Sequence, residues 1–435
     1  MDFLRLVTRD DRRAALITST LFLFSLGGFL LLIWSGHLSL LGITYLLSCV
    51  LIGGWLYSVS SPFLLGFVVF LWFLTPFFRR VIDYISGSYT PPSRSFVLLT
   101  PFAVTLLTLL DIPRFGSRLT HRRYLPYLLC ILGVLYGYIV GLVKVGLVGA
   151  TMQLVSWLPP LLIGVYVINR YRLARRHVEV IKSSVTLGVF LIGLYGIIQF
   201  YVLPEWDAFW MKNASIKSVG RPYPHQVRIY SMLDSPGPFA ITIGAGLILL
   251  FYRTRLPQLL AAVPGYISFL LARVRGAWIG WVVAVGVILS ITEGRLRTRL
   301  LTVALLVAVL TVPAVLTGPI SKRIGNRMET LQNVEEDNSL QTRLRTHRQV
   351  PMEILLNPIG WGLGSRKIDS GILTLFWQLG WTGGLLYLSG LALFTKEVLK
   401  GSSPFSKIIV GVLSLYFVQF FLGPELLGEA TGVLF

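Results

Sequence analysis

Charge is what this sequence lacks. Of its 435 residues only 13% are Asp, Glu, Lys or Arg, about half of the roughly 25% carried by a soluble domain. Acidic residues are rarest, 19 against 39 basic ones, and there are 5 histidines. So few charges exclude an ordinary water-facing surface over most of the chain and leave no length for a large soluble domain. Cysteine is almost missing too. Cys49 and Cys130 each lie inside an apolar run, which argues against a disulfide framework or a thiolate metal site. Carboxylate pairs of the kind that hold Mg²⁺ and a nucleotide diphosphate are lacking as well. Asp10 and Asp11 sit between Arg9 and Arg12 and read as a solvated helix start, and Glu335–Glu336–Asp337 reads as a solvated cap. No internal repeat stands out.

What is abundant is apolar length. Hydrophobic residues make up 54% of the chain, and the mean hydropathy is +0.72. About 20 apolar residues cross a ~30 Å hydrocarbon layer. The candidate spans begin with Ala14–Ile33, Leu38–Tyr57, Pro62–Phe78, Ser95–Leu110, Tyr124–Val143, Leu147–Ile168 and Val185–Leu203. After a polar interval come Gly237–Tyr252, Leu256–Ala272, Ala277–Ile291 and Leu300–Leu316, and then Ile372–Phe394 and Ile408–Gly423. The first run follows Arg12 and Arg13 but is too long for a leader and has no small-residue cleavage pattern, so it reads as a membrane helix. The expectation is an all-α, polytopic integral membrane protein with about 12–13 transmembrane helices. It forms a single domain over 1–435, with outer loops at 204–236 and 318–371, and the longer loop carries short amphipathic helices.

A net charge of +20 in a soluble protein would suggest nucleic acid. Here no basic stripe joins stacking aromatics, so nucleic acid is not an expected partner. With the N-terminus in the cytoplasm, alternate loops are basic. They hold Arg114, Arg118, Arg122 and Arg123; then Arg170, Arg172, Arg175, Arg176 and Lys182; then Arg253 and Arg255; then Arg295, Arg297 and Arg299; then Lys396, Lys400 and Lys407. That alternation is the positive-inside pattern. It places Thr120 and Arg297 inside, and Ser218 and Asn333 outside.

Arginines on the other side are not explained by topology. Arg79 and Arg80 follow the third span; Arg221 and Arg228 lie in 204–236; Arg273 and Arg275 occupy a tight turn between two spans; Arg343, Arg345 and Arg348 lie in 318–371. Arginine's planar fork donates two parallel hydrogen bonds to phosphate oxygens, so arginines converging at a membrane surface suit a lipid-linked diphosphate. The bland alternative for Arg273 and Arg275 is snorkelling to headgroups, and for the last three a solvated amphipathic helix, Ser339–Leu356. His225 alone reads as structural. Gly360, Gly362 and Gly364 would let the chain turn tightly near the membrane surface.

Four stretches in order, RIYSMLDSPGPFA (Arg228–Ala240), RVRGAWIGW (Arg273–Trp281), TRLRTH with NPIGWGLGS (Thr342–His347, Asn357–Ser365) and DSGILTLFWQLGWTGG (Asp369–Gly384), resemble the O-antigen ligase and O-antigen polymerase superfamily. The similarity covers roughly 185–395, and PFFRRVIDY (Pro76–Tyr84) resembles an earlier block of some members. The resemblance implies a metal-independent, cofactor-free glycosyltransferase of the GT-C type in the bacterial inner membrane. Its donor would be an undecaprenyl-diphosphate-linked glycan, and its acceptor a hydroxyl of a glycan or lipid on the periplasmic face. By motif, Arg275 and Arg343 would hold the diphosphate, with Arg273, Arg228, Arg221, Arg345 and Arg348 around them. The outer candidates for the general base are Asp369, Asp234, Glu353 and His347, in that order. The family's ligases have a His where this chain has Asp369, which favours polymerase over ligase. Transport is the alternative of another class. It usually brings inverted repeats and polar groups at the midplane, whereas these spans are nearly free of charge.

Overall fold

The computed structural model describes residues 9–117, 121–214, 216–253, 255–294, 297–298, 300–302, 305, 309 and 338–423, with side chains outside the description at 9–15, 217 and 338–345. The described residues form an all-helical protein. The helices are α1 (Arg9–Trp34), α2 (Leu41–Ser58), α3 (Phe63–Ile85), α4 (Phe96–Leu106), α5 (Ile112–Gly116), α6 (Leu125–Lys144), α7 (Leu147–Asn169) and α8 (Ala174–Tyr201). They continue as α9 (Glu205–Ala214), α10 (Pro236–Leu249), α11 (Leu256–Leu271), α12 (Arg275–Ile291), α13 (Asn338–Leu356), α14 (Gly371–Leu399) and α15 (Pro404–Leu422). Among the described residues, eight helical segments are long and apolar enough to cross a membrane, and α10, α11 and α12 are shorter apolar helices. The chain is therefore a multi-pass membrane protein by helix length and hydropathy. The expected run at 300–316 lies largely outside the described residues, as do Glu335–Asp337, Thr120 and Asn333.

Boundaries follow local chemistry. Ser95 and Ser403 cap α4 and α15 by accepting the N–H of Leu98 and of Ser406, and Pro126, Pro236 and Pro404 occupy first-turn positions where no N–H is needed. Packing relies on close backbone approach, since lipid offers helices no hydrophobic drive to associate. On α6 every fourth residue from Gly133 to Gly141 is glycine, so the three share one face. A Cβ at Gly133, Gly137 or Gly141 would fall 2.5, 2.3 and 2.5 Å from atoms of Gly383, Leu379 and Leu363. Helix α14 thus lies against α6 at a distance that no larger residue permits.

Helix α14 is broken at Gly380, whose φ is +62°. The segment Asn357–Ser365 fills the break. Trp361 N donates to Trp377 O at 2.8 Å, Trp381 N to Pro358 O at 2.8 Å, and Leu363 N to Gly137 O at 2.9 Å. Trp361 stacks flat on Trp377 with ring centroids 3.7 Å apart. Gly360, Gly362 and Gly364 all have positive φ, between +82° and +86°, as the tight turn expected there requires. Irregular backbone among membrane helices needs its polar groups paired; here Gly360, Gly362 and Leu363 are buried, whereas Pro358 and Ile359 are exposed.

Candidate functional site

Hydrogen bonds between distant segments collect at the two ends of the bundle. At one end lie the C-terminal ends of α3 and α8, the segment 216–235, the turn 272–275 and the starts of α10, α12 and α14. At the other lie the basic loops around Arg114, Arg170 and Arg253, where Asp111 pairs with Arg170 and Arg114 and Glu179 pairs with Lys182 and Arg253.

The first end is built around a buried cation. Arg80, on α3, is fully buried. Its Nε donates to Asp207 Oδ1 of α9 at 2.7 Å, and its two terminal nitrogens donate to Leu233 O at 2.7 Å and Ser231 O at 2.5 Å. Asp207 Oδ2 accepts from Tyr195 at 2.8 Å and Gln199 at 2.7 Å, while Gln199 Oε1 accepts the N–H groups of Tyr230 and Ser231. Every arm of the guanidinium and both carboxylate oxygens are occupied, which is what a buried ion pair needs to offset desolvation. The segment 216–235 is thus a cap packed on its inner side: Val219, Val227, Ile229, Tyr230 and Leu233 are at most 1% exposed, while Arg221 and Tyr223 face outward.

A second set of bonds joins this cap to the arginine turn. Arg228 Nε donates to Ala272 O at 2.8 Å and its Nη2 to Arg273 O at 3.0 Å, and Arg273 donates back to Val227 O at 3.2 Å. Arg273 adopts φ +55°, an uncommon conformation for a residue with a Cβ. Arg275 follows as the first residue of α12 and is part-buried. Next door, Gly276 O accepts from Gln419 of α15 at 2.6 Å. One turn further along α15, Gly423 O accepts the N–H of Gly371, which opens α14 two residues after Asp369. Four motifs far apart in sequence are therefore tied into one hydrogen-bonded chain: RRVID, RIYSMLDS, RVRG and DSG.

Three helices begin at this end. α10 follows Asp234–Ser235, α12 begins at Arg275, and α14 follows Asp369–Ser370; all three pack against α15. Each helix start carries roughly half a positive charge and N–H groups unused by the helix itself. Three such ends with Arg228, Arg273 and Arg275 make an environment suited to an anion.

The four candidate bases differ sharply. Asp234 is part-buried beside Arg80 and Arg79, and its Oδ1 is sealed from solvent with no hydrogen-bond partner among the described residues. Burial pushes its carboxyl above the ordinary carboxylate value, against the opposing pull of the two arginines. Asp369, Glu353 and His347 are exposed. Arg348 is exposed on α13 and Arg221 is exposed in the cap; the side chains of Arg343 and Arg345, also on α13, lie outside the described residues. Helix α13 itself spans the stretch expected for it. It is held to α14 by Trp381 Nε1 donating to Ile354 O and by Val350 and Ile354 packing on Trp377. His225 packs edge-on between Phe200 and Tyr201, in keeping with a structural role.

Comparison with protein-family models, with curated proteins and with solved structures gave no match.

Sequence reasoning did not select the Arg80–Asp207 pair. The double arginine after the third span was visible as charge on the wrong side, but nothing local marks Asp207, which lies 127 residues further along the chain.

Proposed function

We propose that this chain is a membrane glycosyltransferase that moves a glycan from undecaprenyl diphosphate, or a closely similar polyprenyl diphosphate carrier, to an acceptor hydroxyl at the end bearing the arginine turn. That end is the periplasmic one under the positive-inside pattern. The observation that carries the proposal is the hydrogen-bonded chain through RRVID, RIYSMLDS, RVRG and DSG, which gathers arginines and three helix starts against α15.

A polyprenyl diphosphate is already a good leaving group, so catalysis needs its developing charge neutralised more than it needs a proton. Fixed cationic donors supply that neutralisation without reorganisation. Arg275 at the head of α12 and Arg343 on α13 are the proposed grips on the diphosphate. Arg228 and Arg273 lock the turn that presents Arg275, and Arg221, Arg345 and Arg348 are available to the glycan or to outer phosphate oxygens. Asp234 is the proposed base: its poorly solvated carboxylate has a stronger appetite for the acceptor proton than an exposed one. Extension of a surface polysaccharide is the reaction we favour over ligation to a lipid, because Asp369 stands where ligases of the resembled superfamily have His.

The test is transfer by purified protein supplied with lipid-linked donor. Arg275→Ala and Arg343→Ala should each lower the rate on the order of 10²–10³-fold while the protein stays folded, and Lys at either position should rescue only partly because it lacks the fork. Normal transfer in both alanine variants would remove the diphosphate grip and put a transport function ahead.

A further inference from the structure

The opposite end of the bundle holds a cleft that glycosyl transfer does not use. Its volume is about 940 Å³, and it opens between the turn Arg122–Tyr124 that leads into α6 and the turn Tyr171–Leu173 that leads into α8. Arg114, His121, Arg122, Arg123, Arg170 and Arg172 line it.

Among the described residues, the carboxylate bonded to these cations is the fully buried Asp111, and it is already engaged. Arg170 and Arg114 both donate to its carboxylate, and Asn169 Nδ2 donates to its backbone carbonyl at 3.1 Å. Arg170 is further clamped by the faces of Tyr166 and Tyr57, 4.1 and 5.3 Å from its guanidinium carbon, and Arg123 lies over Tyr171 at 5.3 Å. Arg122 falls within electrostatic range of Glu397. Five guanidinium groups thus face a wall whose own carboxylate is spoken for, and the starts of α6 and α8 add their positive ends. Topology explains why arginines are abundant at this end. It does not require them to line a concave wall, nor two of them to be held rigid against tyrosine rings.

We propose that this cleft binds the phosphate of an anionic membrane phospholipid. Phosphate is the chemistry that arginine forks and helix starts recognise together. A lipid is favoured over a soluble phosphate because the cleft lies where α2, α6 and α7 reach their ends, and because Leu110 and Ile112, 65% and 42% exposed, flank Asp111 as an apolar shoulder for acyl chains. Basic pockets between membrane helices are a recurring form of headgroup site.

The test uses the full chain in phosphatidylcholine nanodiscs titrated with cardiolipin, with bound lipid read by native mass spectrometry and Tm by scanning fluorimetry. Cardiolipin should remain bound and raise the Tm of the wild type. In Arg122→Gln/Arg123→Gln/Arg172→Gln, which alters exposed side chains only, lipid affinity should fall on the order of 100-fold, since each cation near an anionic headgroup contributes about fivefold. Should the triple variant misfold in phosphatidylcholine, Arg172→Gln alone should still give about a fivefold loss. Equal cardiolipin retention in wild type and variants would overturn the site. Millimolar pyrophosphate should neither raise the Tm nor displace the lipid, and if it does both, the ligand is a soluble anion and the lipid assignment fails. Because the readout is binding, the result is independent of transfer activity.

Discussion

Arg80 and Asp234 lie within electrostatic range of one another and carry opposite lessons. Each of the three Arg80 nitrogens donates a hydrogen bond, and both oxygens of Asp207 opposite it accept. A guanidinium so occupied holds structure rather than substrate. Removing one member of a buried pair strands the other charge, at about 3–5 kcal/mol. Arg80→Met should therefore lower the Tm of purified protein steeply, while Arg80→Met/Asp207→Leu should recover much of the loss. An unchanged Tm in the single variant would show the pair to be dispensable. Asp234 is the reverse, a carboxylate with one oxygen that has no partner among the described residues and with a raised pKa. The sign follows from the cause. Burial disfavours the ionised form, so the group's favourable contribution to stability is present below its unfolded pKa and is lost as pH rises through the raised folded value. Activity runs the other way, because a base works only when ionised. The transfer rate should fall as pH is lowered through an apparent pKa above the ordinary 3.8. Asp234→Asn should abolish turnover, whereas Asp369→Asn should leave that acid limb in place. If Asp369→Asn removes the limb instead, the base is Asp369.

Among the elements, the inserted segment Asn357–Ser365 shows what a motif can and cannot reveal. Its glycines were legible as a tight turn, and all three have the left-handed backbone that such a turn requires. Their destination was not legible, because it depends on Gly141 and Gly149, more than 200 residues earlier in the chain. A Cβ on Gly362 would lie 2.3 Å from Gly141 N, whereas a Cβ on Gly36, also at positive φ, would meet none of the described residues within 4 Å. Gly36→Ala should thus cost only the left-handed penalty, roughly 1–2 kcal/mol. Gly362→Ala should cost clearly more, read as a larger drop in Tm and in yield of folded protein. Equal losses would mean that the inserted segment can move away from α6. The segment 216–235 makes the converse point. The sequence marks it as an outer loop, and its later part, 227–233, packs onto the bundle because Gln199 and Arg80 reach out of their helices and satisfy its backbone.

For the molecule as a whole, the basic loops and the arginine turn fall at opposite ends of the bundle, the separation that the charge pattern anticipates. A membrane-impermeant thiol reagent in intact cells tests which end is which. Cysteine placed at Ser218 or Asn333 should label, and cysteine at Thr120 or Arg297 should not. Ser218 and Arg297 are both exposed, and the native Cys49 and Cys130 are buried, so background should be low. Labelling at 120 or 297 with protection at 218 would reverse the orientation and move the proposed site to the cytoplasmic face.

Composition and apolar periodicity by themselves determined the all-helical, multi-pass class and most helix positions, because a lipid solvent admits few other solutions for backbone polar groups. Charge placement determined which loops share an end. The tertiary structure alone decided which of the candidate residues meet. It joined Arg228 to the Arg273 turn, left Asp369, Glu353 and His347 exposed, and buried Asp207 against Arg80. The reason is physical: hydrophobicity acts on each span separately and without direction, whereas a hydrogen-bonded site depends on angles and distances between spans, and those are set only once the glycine-lined faces have packed.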